Sequence, residues 1–283
     1  MLEADVNFMY MIDEIMRDGV EVNTRNSLTK RLRNLQTTYT QAPLVTIRRT
    51  AWRNAIREME WFLSGSNNIN DLHEKVRHWW EPWANESGFI HNNYSKQLRQ
   101  FDGAQHQGGV RQLDKNGTDQ IAYLMDAIKN HPFSRRSVIT TWHTHDMVSP
   151  VTPITNCHGT VIQAFVEPDN SLHLTMYQRS SDMVLGLPHN LIQYWALLMY
   201  LAYHGGRDVG SFTWIGGDCH VYKEHYELAE EMSLALFGHQ ASGQINKPPK
   251  LIYTPTSEDF KAEDFSLDSK YEPILKKSAK MIV

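Results

Sequence analysis

Residues 172–190 read Leu-His-Leu-Thr-Met-Tyr-Gln-Arg-Ser-Ser-Asp-Met-Val-Leu-Gly-Leu-Pro-His-Asn. The stretch begins as a strand, Leu172–Tyr177. Together with Val161–Val166 that strand brackets Pro168-Asp169-Asn170, a hairpin signal. The polar middle, Arg179-Ser180-Ser181-Asp182, sets a guanidinium beside hydroxyls and an acid. Beyond Asn190 the apolar run Leu191–Tyr203 reads as a buried core helix. It contains Gln193 and is shorter than the ~20 residues that span a bilayer.

Working outward, residues 5–18 carry Phe8, Met11, Ile12 and Ile15 at helical spacing, with Gly19 as the stop. Residues 50–64 repeat the pattern through Ala51, Trp52, Ala55, Ile56, Met59, Phe62 and Leu63, so Glu58 sits on a helix among apolar neighbours. Residues 102–118 are glycine-rich and polar and read as an exposed loop. A further helix is expected over Asp119–Asn130. From Ser137 strands are expected to dominate, with Ser137–Trp142 and Phe212–Ile215 among them. The C-terminal residues, with Pro248, Pro249, Pro255 and Pro273, read as mostly extended. Neither a repeat nor a linker is visible, so residues 1–283 are expected to form one α+β domain, not a βαβ alternation.

The chain has 283 residues, of which 41% are hydrophobic and 21% charged, ordinary globular values that leave enough apolar surface for a core. A net charge of -4 argues against broad nucleic-acid or membrane affinity, though a local cationic pocket remains compatible with it. Two cysteines make no disulfide framework. The N-terminus is acidic where a signal peptide needs positive charge, and a cytoplasmic protein is expected.

The chemistry-bearing candidates cluster in the second half. Cys157, followed by His158, is either a small buried hydrophobe or a nucleophile, and a thiolate needs nearby positive charge, which Arg179 can supply. Cys219 reads as filler in a tight loop. Arg25, Arg135, Arg136 and Arg179 are either solvated surface or a phosphate clamp, because guanidinium forks match phosphate oxygens. Arg135 and Arg136 entering a strand cannot both face water easily. Asn190 can donate to and accept from a pyrimidine edge, or cap the helix at Leu191, and the two roles are compatible. His220 and Tyr222 alternate along an extended segment and so share one side, suited to a sugar hydroxyl. Trp79, Trp80 and Trp83 are core residues by default, yet a cluster of three suits stacking on a flat cofactor. His143 with His145 and His220 with His225 complete no four-ligand set, so no metal is expected.

The order and spacing of these motifs resemble the thymidylate synthase family, together with Gly216-Gly217-Asp218-Cys219-His220-Val221-Tyr222 and Glu58-Met59-Glu60-Trp61-Phe62-Leu63. The resemblance runs from Arg25 to Lys280-Met281-Ile282-Val283. It implies a mixed sheet with packed helices, one sheet face being buried in a homodimer. It also implies dUMP or a related nucleotide as substrate and 5,10-methylenetetrahydrofolate as co-substrate. By the same resemblance Cys157 is the nucleophile, Glu58 organises water for proton transfer, Tyr94 lies near the C5 proton, and His158 follows the nucleophile. Arg25, Arg179 and Ser180 match phosphate ligands, while Arg135 and Arg136 match arginines that reach the neighbouring subunit's site. Asn190 matches the uracil reader, and His220 and Tyr222 match the residues that hold the 3′-hydroxyl. Asp182, Trp80 and Trp83 match the folate contacts, and Gly186, His189 and Val283 are assigned to the same side.

Several positions depart from the synthase pattern. Asn156 stands for proline, His189 for phenylalanine and Gln193 for serine. His91-Asn92-Asn93-Tyr94-Ser95 replaces Gly-Pro-Val-Tyr-Gly, and Arg25-Asn26-Ser27-Leu28-Thr29-Lys30 replaces Arg-Thr-Gly-Thr-Gly-Thr. Asn92-Asn93-Tyr94 resembles the segment in phage nucleotide hydroxymethylases. A synthase keeps water from its exocyclic methylene intermediate, whereas a hydroxymethylase admits one water. Polar departures on the pocket wall therefore rank dUMP hydroxymethylase first, in a host cytoplasm if phage-encoded, and thymidylate synthase second. A dCMP enzyme ranks lower, because that specificity usually goes with aspartate at the Asn190 position. A nucleotide-binding homologue without catalysis ranks lower still. The Lys280–Val283 tail resembles the synthase tail that closes the site, and so opposes the first choice.

Overall fold

The computed structural model describes residues 3–101, 117–144, 146, 156–242 and 248–282. The helices include α1 (Glu3–Asp18), α2 (Trp52–Ser64), α3 (Glu74–Arg77), α4 (Tyr94–Arg99), α5 (Gln120–Asn130), α6 (Gly186–Gly205) and α7 (Tyr226–Ala241). The strands are β1 (Val20–Asn23), β2 (Leu28–Tyr39), β3 (Val138–Ile139), β4 (Val161–Val166), β5 (Ser171–Asp182), β6 (Asp208–Tyr222), β7 (Leu251–Tyr253) and β8 (Phe265–Leu267). Six strands form one mixed sheet in the order β1-β2-β6-β5-β4-β3, and β7 pairs with β8. β5 and β6 run parallel, while the other ladders are antiparallel. The architecture is α+β, with one βαβ unit, β5-α6-β6, at its centre.

Periodicity explains the first two helices. Phe8, Met11, Ile12 and Ile15 are all buried, as are Ala55, Ile56, Met59, Phe62 and Leu63. α2 stops at Gly65, whose φ of 79° only glycine adopts without strain. α6 is buried on nearly every side, between the sheet, α2 and α5. It begins at Gly186, one turn earlier than expected. Pro188 falls in the first turn, where its missing N–H costs no hydrogen bond. Asn190 is therefore inside the helix and does not cap it.

Three further expectations fail. Arg135 and Arg136 lie in a turn before β3, not on a strand, and both are exposed. Ser137–Trp142 contributes only the two residues of β3. α7 lies where strands were expected to dominate, and β2 was not anticipated at all. α7 leaves Leu234 and Phe237 73% exposed, so it shows no clean apolar stripe. β2 carries Arg33, Asn34, Gln36 and Thr38 to the surface, which blurs its alternation. The expected loop at 102–118 falls outside the described residues except at its end. Among the described residues no helix is long and apolar enough to cross a membrane.

A buried segment, residues 44–50, organises the floor. Asp5 of α1 accepts from Thr46 N, Thr46 Oγ1 and Ile47 N at 2.6, 2.6 and 2.7 Å. Burial still raises its carboxyl to about 6. Arg48 is 1% exposed and donates to the carbonyls of Val184, Leu185 and Arg49. This buried guanidinium fixes the loop that joins β5 to α6. The C-terminal chain crosses the same segment through Ile274 N to Thr46 O and Leu275 N to Ile47 O.

Candidate active site

A cavity of about 500 Å³ opens where β5, β6, α2, α6 and the loop before β4 meet. Gln178, Ser180 and Asp182 line it from alternate positions of β5, as strand geometry requires. His220 and Tyr222 line it from β6, and His220 pairs in register with Asp182. Gly186, His189 and Asn190 come from the first turns of α6, and Glu58 comes from α2. Trp79, Trp80, Trp83 and Leu185 supply a flat apolar wall. Ala279 and Met281 of the C-terminal tail reach the cavity as well. His225 Nε2 lies 2.9 Å from Lys280 O and holds that tail in place.

Cys157 sits on the cavity wall with its backbone N–H donating to Tyr94 Oη at 2.7 Å. Arg179 has the opposite strand parity to Ser180, yet its Nη2 comes within 3.6 Å of Cys157 Sγ and its Nε donates to Asn156 O. Its guanidinium also lies over the Trp142 ring. Burial raises the Cys157 thiol, and Arg179 only partly opposes that rise. The arginine is thus placed as expected, and burial outweighs its effect on the thiol.

His158 stacks on Tyr94 at 4.2 Å and shares its Nδ1 with Tyr194 Oη at 3.0 Å. Burial pushes it down to about 3, so it is neutral at pH 7 and does not supply the missing charge. Glu58 and Asp182 are the two carboxyls that line the cavity among the described residues, and Glu58 is the buried one. Burial raises it to about 7, against the hydrogen bonds from Trp80 Nε1 at 2.6 Å and Gln193 Nε2 at 2.7 Å. Such a group exchanges protons near neutrality. His220 Nδ1 lies 3.0 Å from Asp218, which also accepts from Arg31.

The polar departures lie elsewhere than expected. Among Asn92, Asn93, Asn156, His189 and Gln193, only His189 lines the cavity. Each has at least one protein partner, although Nδ2 of Asn93 is buried without one. His189 places Nδ1 at 2.8 Å from Leu185 O and accepts from Ala51 N at Nε2. Both ring nitrogens are thus used, and burial with the nearby Arg48 charge pushes it down to about 3. Asn156 donates to Thr141 O. Asn92 donates to Asp146 and accepts from Lys96, while Asn93 caps α4.

Arg25, Arg135 and Arg136 do not line the cavity. Arg25 is exposed at the tip of the β1–β2 hairpin, although its charge is felt at Tyr222. Val283 lies outside the described residues, as does His145. Gln178, Leu185 and the buried pair Arg48 and Trp214 were not assigned roles from sequence. Only Gln178 had a signal, its place beside Arg179. Among the described residues no group of histidine, cysteine and acid side chains is arranged to hold a metal.

A buried acid, a cysteine under an arginine, an amide and a flat aromatic wall around one cavity suit an enzyme whose substrate is planar and hydrogen-bonding. The thymidylate synthase family model matches residues 6–283. Thymidylate synthase of Buchnera aphidicola subsp. Baizongia pistaciae (strain Bp) is 33% identical over 231 residues, 82% of this chain and 81% of that protein. Those of Francisella philomiragia subsp. philomiragia and Vesicomyosocius okutanii subsp. Calyptogena okutanii are 32% and 31% identical, over 83% and 80% of this chain and 83% and 81% of theirs. The chain belongs to the thymidylate synthase family, the folate-dependent transferases that place a one-carbon unit on C5 of a pyrimidine nucleotide. The co-substrate of that family is 5,10-methylenetetrahydrofolate, and the tryptophan wall with Asp182 suits a flat heterocycle bearing amino groups. All three relatives carry the name synthase, which favours the second-ranked product over the hydroxymethyl one.

Proposed function

We propose that this chain converts dUMP to thymidylate, the reading that was second by sequence. One observation carries the change. Apart from Nδ2 of Asn93, which lies off the cavity, the departures expected to hold a water are bonded to protein, and His189, which alone among them faces the cavity, has both nitrogens occupied by backbone. The rest of that side is Trp79, Trp80, Trp83, Leu185 and the tail residue Met281, a wall that keeps water out.

Cys157 adds through sulfur to C6 of the pyrimidine, and the electron pair moves to C5. Arg179 stabilises the thiolate, with Arg135 and Arg136 of a partner subunit and Arg25 assigned to the phosphate of the bound nucleotide. The co-substrate supplies the one-carbon unit and, for thymidylate, the hydride that completes a methyl group. Glu58 and Tyr94 handle the C5 proton, Glu58 because it exchanges protons near neutrality and Tyr94 because its oxygen is fixed over Cys157. Asn190 meets the O4 and N3–H edge, while His220 and Tyr222 meet the sugar. Asp182 and the tryptophans hold the folate.

A specific observation keeps the hydroxymethyl product as the rival: Glu58 faces the cavity at about 7 and can take a proton from a water that enters. Product analysis separates the two. With dUMP and methylenetetrahydrofolate, thymidylate and dihydrofolate should form in equal amounts. A nucleotide that gains CH2O while tetrahydrofolate is released would establish the rival.

A further inference from the structure

α2 separates two cavities. Glu58 faces the active one, and Glu60, about 200° further round the helix, lines a second of about 360 Å³. α4 is shared in the same way: Tyr94 at its start lines the active cavity and Arg99 at its end lines the other. Further walls come from α5, from α6 and from residues 259–261, between β7 and β8. Among the described residues the six-stranded sheet contributes nothing to this second cavity. It is therefore separate from the sheet face expected in a homodimer.

The floor is apolar, since Leu63, Ile121 and Phe260 are all buried. Charges of both signs stand around it, and much of their bonding capacity is unspent. Arg99 gives Nη2 to Asp119 at 3.1 Å, while its Nε and Nη1 have no hydrogen-bond partner among the described residues. Lys261 makes no ion pair among those residues, although its charge is felt at Glu60. Glu60 accepts from Ala262 N at Oε2, 3.2 Å away, which leaves Oε1 available. Tyr200 gives its hydroxyl hydrogen to Glu258 O at 3.0 Å and keeps its lone pairs. Asp259, which is exposed, supplies a second acid.

We propose that this second cavity binds a small zwitterion with an apolar side group, an α-amino acid in chemical class. The ligand carboxylate meets the Arg99 fork and the Lys261 ammonium. The ligand ammonium meets Glu60 and the Tyr200 oxygen, and the side group covers the floor. Molecules of a single sign fit less well. An anion sits beside Glu60 and Asp259, and a cation sits beside Arg99 and Lys261, so each meets repulsion as well as attraction. A wholly apolar molecule would strip water from four charges and give them no partner. The volume is at the small end of ligand sites, which suits a molecule of amino-acid size. Such an occupant bridges α2 to α4, the two helices that supply Glu58 and Tyr94 to the active cavity.

The test is calorimetric binding and thermal unfolding of the full chain with L-phenylalanine and L-leucine. Phenethylamine and 3-phenylpropionate, which lack the carboxylate and the ammonium respectively, are the single-charge controls. At least one amino acid should bind saturably and raise the thermal transition, because a ligand of the folded state alone stabilises it. Both controls should bind about tenfold more weakly, the scale of one lost charge-assisted contact. Lys261→Gln and Glu60→Gln should each weaken the amino acid by a similar factor and leave the unliganded transition at its wild-type value. Glu60→Gln keeps an acceptor for Ala262 N, and Lys261 has no ion pair to lose. If Glu60→Gln fails to fold, Lys261→Gln decides alone. Absence of saturable binding by both amino acids at millimolar concentration overturns the proposal. So does equal binding of either control, or an affinity that the substitutions leave unmoved. The site is independent of the product chemistry: a chain that binds the amino acid but forms no thymidylate would overturn the functional reading alone.

Discussion

The wall behind Cys157 and the arginines assigned to the phosphate belong to the same proposed site, yet they are built in different ways. The wall is buried and internally bonded. Glu58, Gln193, Asn190, Gln178 and Trp214 satisfy one another in sequence, and Arg48 pins the adjoining loop through three carbonyls. The arginines are the reverse. Arg25, Arg135 and Arg136 are exposed, and none of them lines the cavity. A buried wall must close its hydrogen bonds within the chain, because water cannot complete them. Exposed guanidinium groups are free of that demand and can wait for a phosphate or a partner. The hydrogen bonds of the wall therefore close within one chain, whereas the three arginines face solvent.

The largest expected effect bears on the junction of the two regions. Cys157→Ser should fold with a near-normal thermal transition, bind nucleotide, and lose turnover by about a thousandfold or more. Turnover close to wild type would remove the covalent step and with it the reason for placing Arg179 at the sulfur.

A smaller and more discriminating effect tests the arginine side. Arg136→Ala subunits mixed with Cys157→Ser subunits should regain up to about one quarter of wild-type activity, because half the dimers are hybrid and each holds one intact site. Mixtures that exchange subunits and stay inactive would return Arg136 to its own chain or remove it from the site, and the contrast drawn above would fail.

The smallest effect concerns the wall alone. His189 titrates at about 3 when folded, well below the usual histidine value near 6.5. Between those values the unfolded chain binds the extra proton, so this group's contribution is complete above pH 6.5 and is lost as the pH falls through that window. His189→Phe removes the dependence. Relative to the variant, the wild type should lose about 2 kcal/mol between pH 7.5 and pH 5. Denaturation curves at the two pH values give the difference. Equal changes in both proteins would mean that His189 is not held neutral, and the account of its two occupied nitrogens would be wrong.

Much of the inner wall was legible in the chain. Helical spacing placed Glu58 on an apolar helix, and the strand–turn–helix reading of residues 172–190 brought Arg179, Asp182 and Asn190 into one neighbourhood. Strand alternation put His220 and Tyr222 on one side. These readings succeed because local periods of two and 3.6 residues fix which side chains share a face. The readings that failed depended on burial. Asn92, Asn156 and Gln193 looked like pocket polarity because they occur in pocket motifs, but each turns away to a partner 3 to 135 residues distant in sequence. α7 escaped notice because its apolar residues are shared between core and surface.

By itself, then, the sequence determined the α+β class, the family, the helix that carries Glu58, and the nearness of Arg179 to Cys157. Those are matters of short-range pattern and of motifs long enough to be specific. The tertiary structure alone decided that His189 is satisfied by backbone, that the Cys157 thiol is held up by burial, and that Gln193 ties the Asn190 amide to the buried Glu58 carboxyl. Each of these depends on which atoms are dry and which distant groups meet, and desolvation and hydrogen-bond partnership become defined only when the chain has closed around them.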